Sequence, residues 1–76
     1  QANRTDPTPF GWHLIAIASG RLGDEGQAAY ALAEKAILLR DKKGAAYQIK
    51  RAMHKLDKNS PFYRRAMDIK ISMEYL

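Results

Sequence analysis

The chain has 76 residues, 46% of them hydrophobic and 28% charged, with no cysteine and a formal net charge of +5. That length holds one small domain with a thin core, too apolar to remain disordered and too short for a deep catalytic pocket. No run approaches the roughly 18 apolar residues of a membrane span, these residues include no signal peptide, and disulfides and thiolate metal sites are excluded.

Residues 1–8 are polar and aperiodic and read as a linker arm, leaving 9–76 as the folded domain. Thr8-Pro9 predicts an N-cap followed by proline at the first helical position, where its missing N–H costs nothing. From Pro9 to Leu22 two apolar stripes recur at helical spacing, Phe10-Leu14-Ile17 and Trp12-Ile15-Ala18-Leu22. Gly11 and Gly20 each weaken this helix by about 1 kcal/mol, so tertiary packing has to hold it. Gly23 suits a left-handed cap, and Asp24 with Gln27 reads as a capping box that starts a second helix. That helix, Gln27–Arg40, is rich in alanine, which lets neighbouring backbones approach, and it is expected at the centre of the domain.

Asp41 is the expected cap of a third helix running to about Leu56, with Ala45, Ile49, Ala52, Met53 and Leu56 on one face. Its other face carries Lys43, Lys50, Arg51, His54, Lys55 and then Lys58. Ser60-Pro61 opens a fourth helix, Pro61–Leu76, whose stripe is Phe62, Ala66, Ile69, Met73 and Leu76. No segment alternates with a period of two, so the domain is all-α, four antiparallel helices joined by short turns. Charge is uneven along it: residues 1–39 carry three bases against four acids, and 40–76 carry ten against four.

Helix, turn, helix and turn together span about 34 residues, the period of tetratricopeptide repeats. Leu32-Ala33 match the large-then-small pair of that repeat's first helix, and Ala45, Ile49 and Ala52 the small, large and small positions of its second. Residues 26–59 thus resemble one complete unit, flanked by one helix from each neighbour, or about two repeat equivalents in all. A competing phase starts at Trp12, and it places Lys35 where a small residue is expected.

Two longer strings carry a more specific likeness. Trp12-His-Leu-Ile-Ala-Ile-Ala-Ser-Gly-Arg-Leu-Gly-Asp-Glu-Gly-Gln-Ala-Ala-Tyr-Ala-Leu-Ala-Glu34 and Asn59-Ser-Pro-Phe-Tyr-Arg-Arg-Ala-Met-Asp-Ile69 resemble the C-terminal tail of bacterial M48-type zinc metallopeptidases. That family includes outer-membrane barrel assembly-enhancing proteases, in which a His-Glu-x-x-His peptidase domain precedes a tetratricopeptide domain in the periplasm. The likeness implies that the chain is the tail of such a peptidase, cut within an interdomain linker, and that its partners include outer-membrane assembly components. It also implies a periplasmic location. There is no His-Glu-x-x-His here, so zinc and the catalytic glutamate are expected upstream, with no cofactor and no catalytic residue in this segment.

The residues themselves point to binding rather than chemistry. His13 and His54 are 41 positions apart and lack a third ligand, and Ser19 and Ser60 have no His/Asp partners. In the favoured phase Gln27, Tyr30, Glu34, Ile37 and Leu38 line a concave surface that Arg64, Asp68 and Ile71 continue. Tyr30 lies off its helix's apolar stripe; simple interhelix packing is the preferred reading for it, and the alternative is a surface side chain that grips a peptide with Glu34 or Arg64. Trp12, Phe10, Phe62 and Tyr63 fall near helix starts and are expected to staple the ends of the core. Lys43, Lys50, Arg51, Lys55 and Lys58 form a basic face. It offers only one helical aromatic, Tyr47, for stacking, which makes nucleic acid a poor fit. Three functions follow, in order of preference: a protein-docking module of a larger peptidase, a basic nucleic-acid or anionic-surface binder, and an oligomerisation segment joined through its terminal helices.

Overall fold

The computed structural model of the chain describes residues 8–74. Four helices make up the fold: α1 (Pro9–Arg21), α2 (Glu25–Leu38), α3 (Lys42–Lys55) and α4 (Pro61–Glu74). Every predicted N-cap residue is in place, although the Asp24 amide donates to the Ser19 carbonyl and not to the Gln27 side chain, so the expected capping box is only half formed. Thr8 Oγ1 accepts from the Gly11 amide, Asp24 Oδ1 from Gln27 and Asp41 Oδ1 from Gly44, each at 3.0 Å, and Ser60 Oγ accepts from Phe62 at 3.1 Å. Each bond satisfies an amide that the first helical turn leaves without a partner. The rest of the predicted linker arm, and Leu76 of the last stripe, lie outside the described residues.

The first two connections are one turn used twice. After α1 the Gly23 amide donates to Gly20 and Asp24 to Ser19; after α2 the Arg40 amide donates to Ile37 and Asp41 to Ala36. Both pairs are the double backbone bond of a Schellman cap, which requires a left-handed residue between the helices. Gly23 meets that requirement at φ 82° without strain, whereas Arg40 adopts φ 62° with a full side chain. These three-residue turns fold the helices back on one another. The start of α1 accordingly meets the end of α2, where Lys35 Nζ donates to His13 Nδ1 at 3.2 Å. The start of α2 meets the end of α3, where Lys55 and Glu25 pair at 3.4 Å.

Packing is built around α2, as its alanines predict. Ala29 and Ala33 of α2, Ala52 of α3 and Ala66 of α4 share one fully buried cluster with Tyr30 and Ile49. At the end of that seam the backbone of Gly26 runs so close to Leu56 that an added Cβ would lie 2.9 Å from its side chain. Helix α2 touches α1, α3 and α4, whereas α1 and α3 are kept apart. Contact between helices two apart in the chain on one side only means that the array curves, with α2 and α4 on its inner side.

One expectation needs correcting, and one open choice is decided. Helix α1 packs through Trp12, Ala16 and Ser19, so Phe10, Leu14 and Ile17 all face solvent and Phe10 staples nothing. Its sequence is apolar on every side, so helical spacing alone does not say which side faces inward. Tyr30 is 3% exposed, which agrees with interhelix packing and overturns the alternative of a surface side chain. Its ring lies between Trp12 of α1, edge-on at 5.9 Å, and Phe62 of α4, tilted at 5.5 Å. Bringing three helices together through one ring accounts for its burial.

Candidate functional site

The inner side of the array holds a cleft of about 810 Å³. Helix α4 meets its neighbours tightly at Ala66, but its second half stands off from the start of α3. The space between is floored by Ala45 and walled by Ile37 and Leu38 of α2 and by Ile69 and Met73 of α4. Polar groups ring it: Glu34 and Asp68 on facing helices, and Arg40, Asp41 and Lys42 at the turn. Asp41 is committed to capping α3. Apolar walls with a few convergent polar groups are the usual make-up of a binding site.

Of the residues singled out for protein binding, Glu34, Leu38 and Asp68 line this cleft. Gln27 is half-buried and Arg64 is exposed, and neither borders the cleft. Tyr30 acts from behind it. Its hydroxyl donates to Glu34 Oε2 at 2.5 Å, one turn along α2, and so fixes the carboxylate that the cleft presents. Arg40, Ile69 and Met73 complete the walls. Spacing alone did not bring Arg40 forward, although the matching position Gly23 in the preceding turn marks it as unusual.

Burial pushes the Tyr30 hydroxyl up to about 12, helped by its hydrogen bond to Glu34 and that carboxylate's charge, with Arg65 pulling partly back. The folded state therefore holds this proton more tightly than the unfolded chain does. The resulting stability, roughly 3 kcal/mol, is fully present below pH 10 and is lost as pH rises towards 12. Tyr30→Phe removes this dependence. The variant should lose about 1–2 kcal/mol at neutral pH by leaving Glu34 without its donor. In urea titrations its stability should fall less than the parent's between about pH 10 and 12. Parallel curves for the two proteins would rule this coupling out.

The basic residues lie elsewhere. Lys43, Lys50, Lys55 and Lys58 are exposed and Arg51 is half-buried, its Nη1 donating to Gln48 Oε1 at 3.1 Å. All belong to α3 or its following turn. His13 is engaged by Lys35, and among the described residues no three His, Cys, Asp or Glu side chains converge as metal ligands. The described residues also contain no helix long and apolar enough to cross a membrane. No protein-family model, curated protein or solved structure matches this chain.

Proposed function

We propose that the chain is a non-catalytic protein-docking module that binds a protein or peptide segment in the α2–α4 cleft and serves a larger zinc-dependent peptidase. The observation that carries the docking reading is Arg40. The preceding turn meets the same backbone requirement with glycine, so the arginine is held at a cost of about 1 kcal/mol. Its side chain borders the cleft beside solvent-facing Ile37 and Leu38. Strain kept beside an open apolar cleft fits a side chain retained for binding.

Contact between α2 and α4, with none between α1 and α3, supports the phase that makes 26–59 a complete tetratricopeptide-like unit. Helix α1 supports a larger parent. It has one formally charged residue, Arg21, and turns Phe10, Leu14 and Ile17 outward, the composition of a helix covered on both sides. The same face serves the self-association reading, against which a strict monomer in light scattering would count. The peptidase context, its periplasmic location and its outer-membrane assembly partners rest on the two strings quoted above. A coding sequence that lacks His-Glu-x-x-His upstream would remove them.

Arg40→Gly separates stability from binding. The variant should melt higher, by about 0.5–1 kcal/mol, because the turn loses its strain. It should bind about tenfold more weakly a peptide selected from a random library on the immobilised chain, as should Leu38→Ala. Bound peptide should shift the amide resonances of Ile37, Arg40, Asp68 and Ser72. Unchanged affinity in both variants, or shifts confined to other residues, would remove the cleft as the site.

A further inference from the structure

Helix α3 has a second face with a different chemistry. Opposite the packed residues Ala45, Ile49 and Ala52 run Lys43, Tyr47, Lys50 and His54, spaced 4, 3 and 4, with Arg51 beside them. Lys58 adds a further exposed cation in the following turn. The stretch Arg40–Lys58 carries seven bases and two acids, a net of +5 that equals the charge of the whole chain. Helix α3 itself contains no acid, and among the described residues only Lys55 forms an ion pair. In the middle of the row Tyr47 is 64% exposed.

We propose that this face docks an acidic helical segment of a partner protein, independently of the cleft. The 4-3-4 spacing is that of a seam along which one helix meets another, so carboxylates repeating at the same spacing would fall opposite Lys43, Lys50 and His54. Tyr47 then supplies the anchor. Tyrosine and arginine are enriched among the few residues that carry most of an interface's binding energy, and a rigid ring here calls for an apolar side chain at the centre of the partner helix. A lipid surface fits less well, because the apolar side of α3 is buried in the fold and only Tyr47 is left to insert. A nucleic-acid strand would find one stacking platform where successive bases need several.

The test uses the full chain and a fluorescein-labelled 15-residue helical peptide with glutamates at 4-3 spacing around a central leucine, followed by anisotropy. Saturable binding should weaken about tenfold in the double variant Lys43→Gln with Lys50→Gln, and about tenfold in Tyr47→Ala. All three positions are exposed, so circular dichroism should show unchanged helicity. Raising salt from about 50 to 200 mM should weaken the peptide by less than tenfold, whereas four phosphate contacts to a single strand would lose about 50-fold. Equal binding by both variants overturns the proposal. So does tighter binding of a 15-nucleotide oligo(dT) or of phosphatidylglycerol vesicles than of the peptide. Cleft variants such as Leu38→Ala should leave this binding unchanged, which keeps the two surfaces distinguishable.

Discussion

Replacing Tyr30 by alanine is expected to remove about 3–5 kcal/mol of folding stability, the range for deleting a large buried aromatic side chain. A domain of this size is held by only about 4–11 kcal/mol in total. Most of that margin would go, and the midpoint of thermal unfolding should fall by roughly 15 °C or more. The size of the effect follows from what the ring joins. Trp12 of α1 and Phe62 of α4 both pack against it, so truncation loosens both α1 and α4 from α2 and leaves a void at the point where the three helices meet. Comparison with Tyr30→Phe divides the loss. Phenylalanine keeps the ring and gives up only the bond to Glu34, so it should retain most of the stability. A fall of less than about 5 °C for Tyr30→Ala would mean that the aromatic cluster does not hold the helices together.

The same residue shows where a sequence leaves two readings open. Off-stripe placement kept a surface role open for Tyr30 beside interhelix packing, and the structure decides for packing. The partner of its hydroxyl is Glu34, one turn further along the same helix, so the ring sinks into the core while its tip reaches the edge. That i, i+4 pair is present in the sequence, and it is the signal that favours burial over exposure. The helix limits were far more legible. Thr8, Asp24, Asp41 and Ser60 start helices through bonds made within three residues, and such local chemistry does not depend on the rest of the fold. The apolar faces of α3 and α4 were legible for a related reason, since each has a strongly polar side to contrast with it. Helix α1 offers no such contrast. The cleft was legible only in part: Glu34, Leu38 and Asp68 were placed on one surface, but its opening depends on how far α4 stands off from α3, which no local pattern encodes.

Overpacking the alanine seam should be the second large effect. Ala33→Leu, and separately Ala52→Leu, should each cost about 1–3 kcal/mol, although leucine is more hydrophobic and nearly as good a helix former as alanine. Both alanines are fully buried where α2, α3 and α4 converge with Ala29 and Ala66. Three added carbons there have no void to enter, so one helix must move. Helix α4 has the least contact with its neighbours, which makes it the helix that should yield. Its displacement would change the wall formed by Ile69 and Met73, so these variants should also disturb binding in the cleft while their α1–α2 contacts persist. Hydrogen exchange can separate these consequences: α4 amides should lose protection first and most, and amides of α2 facing α1 least. Uniform loss of protection along the chain would show instead that the four helices unfold as one unit, with no weakly held α4. Unchanged stability in both variants would show that the seam has room to spare and that its alanines are not what sets the close approach of α2 and α3.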